Sequence, residues 1–185
     1  EDYYLAGVKD VGPDYVKTVV GLNKDATYIN SGVLLINLKK WRENNVEDTF
    51  INFLKEYNME VYNNDQGILN GTLSDEILLV DPKFNLMSPF LEKSYKDVIK
   101  WNGLKNYYTE DIINNALKSP VFIHFVHFIN GRPWFNGTSH PCKNLYKKYA
   151  NQTPFNNEVY VDDYRGFRYK FFFSLTKFLP YSLVC

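Results

Sequence analysis

The chain has 185 residues, enough for one domain or one domain with a tail. Its 21 basic side chains balance 21 acidic ones, so no net field draws it to nucleic acid, and that function is set aside. Apolar residues at 45% suffice for a core, and the 17% aromatic content fills cores and interfaces more readily than it builds a sugar platform.

The first predicted element is a short strand over residues 4–10, ending on the carboxylate of Asp10. Pro13 suits the start of a helix running to about Leu22. Asn30-Ser31-Gly32 reads as a polar turn feeding a buried strand, Val33 to Leu38. Val46, Phe50, Phe53, Leu54 and Tyr57 recur at helical spacing, which predicts one amphipathic helix over about 40–57. Asn63-Asn64-Asp65-Gln66 is a polar loop that doubles as the cap of a helix carrying Ile68, Leu69 and Leu73. Ile77 to Val80 is a second buried strand, closed by Asp81-Pro82. Residues 84–105 read as irregular, anchored by Phe90, Tyr95 and Trp101. Thr109 caps a further helix, and Val121 to Phe128 is a third strand leading into Asn130-Gly131-Arg132-Pro133-Trp134. A helix follows Pro141 and ends near Ala150. Strands alternate with helices, so the expected class is α/β with a mostly parallel sheet.

Two cysteines, Cys142 and Cys185, have no metal-type spacing and point to a reducing compartment, hence a cytoplasmic location. Sequons stand at Asn70, Asn136 and Asn151, and they matter only in a secreted eukaryotic protein. The chain opens Glu1-Asp2-Tyr3-Tyr4, without a signal peptide or initiator Met, which suggests a portion of a longer protein. Residues 164–185 mix aromatics with Arg165, Arg168, Lys170 and Lys177. They are too short and charged to span a bilayer. They suit a peripheral membrane contact, with packing on the chain's own domain as the rival reading.

Four polar clusters stand where strands end or loops begin: Asp10; Asn30 with Ser31; Asp65 with Gln66; and His124 or His127 with Arg132 and Trp134. In open α/β sheets the ligand crevice lies at the carboxyl ends of the strands. Bland roles compete with each. Asp65 suits a helix cap, Asn30 a turn, Arg132 a solvated loop and Trp134 a packing anchor. His124 and His127 are three apart in an apparent strand, so they face opposite sides unless the strand ends between them.

Several stretches, in order, carry a resemblance. They are Tyr28-Ile-Asn-Ser-Gly-Val-Leu-Leu-Ile-Asn-Leu-Lys-Lys-Trp-Arg42, Asn64-Asp-Gln-Gly-Ile-Leu-Asn70, Asp81-Pro-Lys-Phe-Asn85, His127-Phe-Ile-Asn-Gly-Arg-Pro-Trp134, and the segment from His140 to Phe155. Together they resemble the later part of a glycosyltransferase family 8 domain, a retaining and metal-dependent nucleotide-sugar group. The resemblance covers residues 1–155 and leaves 156–185 as a tail. It implies a GT-A-like, Rossmann-like fold, incomplete at the N-terminus, and transfer of a hexose from a UDP-sugar to a saccharide or glycolipid acceptor. The setting it implies is lipopolysaccharide or surface-glycan synthesis at the inner face of the membrane.

The same resemblance implies roles. Gln66 and Asp65 stand beside the reacting sugar, and Asp10, Asn30 and Ser31 line the donor and acceptor sugars. Arg132 and Gly131 meet phosphate. His127, with His124 as the alternative, is a ligand to Mn²⁺ or Mg²⁺. Two departures stand out. No Asp-x-Asp pair lies on a strand here, since Asp162-Asp163 is adjacent. A metal held by one His would be weak, so the fragment alone is expected to be inactive. Gly67 stands where the family often has Asp, which removes a carboxylate. A non-catalytic or peripheral membrane-binding module derived from the same fold is the alternative.

Overall fold

The computed structural model describes residues 2–156 and 160–175, with two compact units. The first comprises the described residues of Glu1–Leu86 with Val98–His124. The second comprises those of Met87–Asp97 with Phe125–Cys185.

The first unit is built on a three-stranded sheet of order β2-β1-β3, from β1 (Leu5–Lys9), β2 (Ile29–Ile36) and β3 (Ile77–Leu79). β1 runs parallel to β3 but antiparallel to β2, so this sheet is mixed and the mostly parallel expectation is corrected. The reason lies in the connection. Asp10 N–H donates to Tyr28 O at 3.0 Å, so the chain folds back at the strand end instead of crossing the sheet face. The short helix α1 (Tyr15–Val19) sits inside that fold-back.

Asn30-Ser31-Gly32 is not a turn before the strand. It lies inside β2, which begins at Ile29. Ala6 pairs with Leu35 while Val8 pairs with Asn30, so Ser31 to Leu34 bulge opposite Gly7. β2 is also not wholly buried, since Leu35 is 76% exposed. Past β2, Asn37 accepts a hydrogen bond from Lys40 N at 3.0 Å and caps α2 (Leu38–Glu43). The single helix expected over 40–57 is divided, because Asn45 takes a left-handed conformation at φ 47° before α3 (Val46–Glu56). α4 (Asn64–Leu73) follows.

Leu5, Ile29, Val46, Leu69, Leu73 and Ile77 form one buried cluster, joining the sheet to α3 and α4. Val16, Val20, Tyr28 and Val61 form a second beneath α1. Each such aliphatic side chain stabilises the fold by roughly 1.5–3 kcal/mol on burial. A 3₁₀ turn (Pro82–Asn85) leads to β4 (Leu86–Met87), whose Leu86 N–H donates to Phe122 O at 2.9 Å.

The stretch expected to be irregular holds α5 (Pro89–Glu92) and α6 (Tyr95–Asn102). Thr109 caps α7 (Glu110–Lys118) as its sequence predicts, accepting from Ile112 N at 3.5 Å. The third strand shrinks to β5 (Ile123–His124). It therefore ends between the two histidines, and the opposite-face argument does not apply to them.

In the second unit, α8 (Lys143–Ala150) follows Pro141 as expected, and α9 (Phe167–Leu175) lies in the tail. The start of the tail packs on its own unit. Asn136 N–H donates to Val161 O at 2.9 Å, and Arg165 donates to the carbonyls of Phe128 and Ile129 at 3.0 and 2.9 Å. Asp163 holds that guanidinium through Arg165 Nη2 at 2.6 Å. Arg165 is thus occupied by structure, whereas Phe167 is 81% exposed. Lys177, Cys185 and the rest of the proposed membrane segment beyond residue 175 lie outside the described residues. Among the described residues, no helix is long and apolar enough to cross a membrane.

Candidate sugar-binding site

The first unit brings Asp10, Asn30 and Gln66 together, at the end of β1, near the start of β2 and in the first turns of α4. Asn30 Nδ2 donates to Asp10 Oδ1 and to Gln66 Oε1, each at 3.1 Å. Gln66 Nε2 donates to Asp10 Oδ2 at 3.2 Å, closing a three-residue ring. Ser31 N–H donates to Gln66 Oε1 at 3.1 Å. Asn30 Oδ1 accepts from Gly32 N at 2.9 Å and from Asn85 Nδ2 at 3.0 Å. Both protons and both lone pairs of the Asn30 amide are therefore used. Asn30 organises the cluster and has no hydrogen-bonding capacity left over for a ligand.

Gln66 is half-buried; its Oε1 accepts twice, its Nε2 donates to Asp10, and its amide also interacts with the Tyr28 hydroxyl. Burial pushes the Asp10 carboxyl above its usual range, opposed by hydrogen bonds from Asn30, Gln66 and the backbone of Gly12 and Val11. A cavity of about 40 Å³ beside Asp10 and Lys17 has room for a water or two, not for a hexose.

Asn70 sets the position of Gln66. It is 0% exposed, accepts from Ile29 N at 2.7 Å, and donates to Ile29 O and Gln66 O at 2.8 Å each. Its amide clamps α4 to the start of β2, and in this fold the sequon at Asn70 is inaccessible. Asp65 takes no part in the ring. It is exposed in the first turn of α4, and the cap position belongs to Asn63, at φ 61° with no side-chain cap bond. Gly67 is buried against the preceding loop, where an added Cβ would stand 2.0 Å from Tyr62 O. The missing carboxylate at 67 is therefore a packing requirement of this loop.

His124 also belongs to the first unit. Its Nδ1 lies 3.1 Å from Asn85 Oδ1, and its ring lies where a Cβ on Gly32 would sit, 2.1 Å from Cε1. Asn85 and Asn70 were not expected as site residues. Asn85 had a signal in the Asp81-to-Asn85 motif, and Asn70 in the helical motif after Asp65.

The remaining expected residues belong to the second unit. His127 Nδ1 lies 3.3 Å from Tyr164 Oη. Burial, then Arg165 and Arg132, lower its pKa. Arg132 is half-buried over Trp134 at 5.5 Å, with burial lowering its pKa. Gly131 takes φ 75°, and its N–H donates to Phe128 O at 3.0 Å, closing the turn. Behind this turn Glu92 accepts from Asn130 N at 2.8 Å, and His140 accepts from Cys142 N at 3.0 Å. His140 Nε2 lies 3.8 Å from Glu92 Oε1, yet burial and Arg132 lower its pKa to about 4. It is neutral at pH 7, so this is not an ion pair there.

Among the described residues, no group of three or more His, Cys, Asp or Glu side chains gathers to hold a metal ion. These donors do not make a metal site by themselves.

The sequence profile of glycosyl transferase family 8 matches residues 1–138. The chain is 28% identical over 156 residues to General stress protein A of Bacillus subtilis (strain 168), covering 83% of this chain and 51% of that protein. It is 27% identical over 169 residues to a lipopolysaccharide 1,2-glucosyltransferase of Escherichia coli, covering 86% and 45%. Its fold superposes on the crystal structure of the galactosyltransferase LgtC in complex with donor and acceptor sugar analogs, with TM-score 0.59 at 21% identity. That match covers 83% of this chain and 53% of the other, and the shared fold is the GT-A α/β type. The chain spans about half the length of the relatives it matches.

Proposed function

Because the chain belongs to glycosyl transferase family 8, we propose that it supplies the sugar-binding part of a retaining glycosyltransferase. The reaction moves a hexose from a UDP-sugar to a saccharide or glycolipid acceptor, in lipopolysaccharide or other bacterial surface-glycan assembly. The observation that carries the reading is the closed ring of Asp10, Asn30 and Gln66 at the strand ends.

In this reading Asp10 lines the donor sugar, its carboxylate held in place by hydrogen bonds from Asn30 and Gln66 and from the backbone of Gly12 and Val11. Gln66 lies beside the anomeric carbon, its oxygen held by Asn30 and Ser31. Asp65 stands beside the reacting sugar and holds its hydroxyls, and Ser31 lines the donor and acceptor sugars. Asn30 keeps the amides turned the right way, and a preorganised polar wall costs no reorganisation at the moment of reaction. Arg132 meets phosphate, with its planar fork in place of a lysine's point charge. The Gly131 N–H is already engaged by Phe128 O, so Arg132 carries that role alone. The Mn²⁺ or Mg²⁺ that the family generally uses would need carboxylates from elsewhere, and His127 is this chain's proposed share. His124 is its alternative, with Nδ1 against Asn85 Oδ1 and the other ring nitrogen as the ligand atom.

The same reading places the protein in the cytoplasm, with peripheral membrane contact through residues 164–185. The exposed, stacked rings of Phe167 and Phe171 support it, 6.1 Å apart. Incubating the full-length protein with divalent cation, acceptor glycans and a panel of UDP-sugars should release UDP with at least one donor. No release with any donor would overturn the reading.

A further inference from the structure

We propose that His124 is a positioning residue of the sugar site, acting through Asn85 to fix which way the Asn30 amide faces. The inference rests on the sugar-site reading above and adds a residue to it.

A carboxamide has two ends of similar shape and opposite hydrogen-bonding sense. With Asn30 as it stands, Nδ2 meets Asp10 Oδ1 and Gln66 Oε1. Turned by half a revolution, it would set its oxygen against both, and the ring would lose two bonds at once. What holds the correct sense is the far end. Asn30 Oδ1 accepts from Gly32 N at 2.9 Å and from Asn85 Nδ2 at 3.0 Å.

Asn85 is itself a carboxamide, 0% exposed, so its own sense must be fixed inside the protein. The group opposite its oxygen is His124 Nδ1 at 3.1 Å. When Nδ1 carries the proton, Asn85 Oδ1 accepts and Asn85 Nδ2 is left to face Asn30. When Nδ1 is bare, the favourable arrangement is reversed. Asn85 would then donate to the imidazole and present its oxygen to Asn30 Oδ1. The Nδ1–H tautomer thus agrees in sense with three successive amide contacts, His124 to Asn85, Asn85 to Asn30, and Asn30 to Asp10 and Gln66, and it reinforces at Asn85 the sense that Gly32 N–H favours at Asn30. Such chains polarise one another, so a fault at one end is felt at the other.

Gly32 makes this close packing possible. A Cβ there would lie 2.1 Å from His124 Cε1 and 2.5 Å from Nδ1, so no other residue lets the ring lie against the β2 backbone. The small residue of the Asn30-Ser31-Gly32 motif is explained by the imidazole beside it.

The test uses the full-length protein and two readouts, kcat/KM and nitrogen-15 shifts. His124→Asn places an amide N–H near the position of Nδ1 and should keep kcat/KM within about fivefold. His124→Phe keeps a ring and loses the donor, and should cost roughly 30-fold, the scale of one buried hydrogen bond left unmade. Combining His124→Phe with Asn85→Leu should be no worse than Asn85→Leu alone. Equal losses in the Asn and Phe variants, or losses that multiply in the double variant, would overturn the proposal. Nitrogen-15 shifts of labelled His124 should show the proton on Nδ1, a readout independent of activity, and a proton on Nε2 alone would also overturn it. If the wild-type protein transfers no sugar while the Nδ1 proton is found, the functional reading fails and the tautomer assignment stands.

Discussion

Asn30 Nδ2 lies 3.1 Å from Gln66 Oε1, joining β2 to α4 by a side-chain bond between two neutral amides. The same nitrogen reaches Asp10 Oδ1 at 3.1 Å. Exchanging the donor for an acceptor should therefore break two bonds. Asn30→Asp sets a carboxylate oxygen against Asp10 and Gln66, and should lower sugar transfer by about 100-fold or more at pH 7. Stability, from urea unfolding, should fall by about 2–4 kcal/mol and recover in part at pH 5, where the paired carboxyls share a proton.

Asn70 carries the load of holding α4 on β2. Asn70→Leu keeps the volume, but leaves the Ile29 amide and carbonyl without their partner inside the core. The expected cost is about 2–4 kcal/mol, read from the midpoint of denaturant unfolding. A loss below 0.5 kcal/mol would show that water can replace the clamp.

Gly67→Asp restores the carboxylate common in the family and should not restore its function here. The new Cβ would stand 2.0 Å from Tyr62 O, so the loop before α4 must lift. That loop already holds Asn58, Met59, Asn63 and Asn64 at positive φ. Destabilisation of roughly 1–3 kcal/mol and faster proteolysis between residues 57 and 64 are expected.

His140 gives a pH signature. Its folded pKa of about 4 lies below the ordinary 6.5, so the unfolded chain binds the proton more readily. Its contribution is therefore complete above pH 6.5 and is lost as pH falls toward 4. The slope is up to about 1.4 kcal/mol per pH unit in that window. His140→Asn keeps an acceptor for Cys142 N–H and should remove this part of the slope, measured as unfolding free energy at pH 7, 6 and 5.

Much of the fold was legible because local chemistry set it. Thr109 caps α7, and the 3.6-residue spacing of Leu69 and Leu73 marks α4. Strand direction was not legible, because alternation along β1 and β2 is the same whichever way they pair. Asn44-Asn45 breaks a helix whose apolar spacing runs straight through it, since left-handed asparagine leaves no mark on periodicity. At the site, Asp10, Asn30 and Gln66 were read correctly as neighbours, but Asn30 was expected to face the ligand. Its saturation became visible only with Asn85 and Gly32 in place, residues 55 positions away and two positions away in the chain. For His127 and its alternative His124 the sequence shows an imidazole, but not that His124 Nδ1 meets Asn85.

The most direct measurement is UDP release by the full-length protein, comparing wild type with Asp10→Asn and Gln66→Ala over a panel of UDP-sugars with acceptor. The account predicts turnover in the wild type. It also predicts a loss of about 100-fold or more in kcat/KM in each variant, with circular dichroism showing each variant folded at the assay temperature. Wild-type turnover in both variants would contradict it.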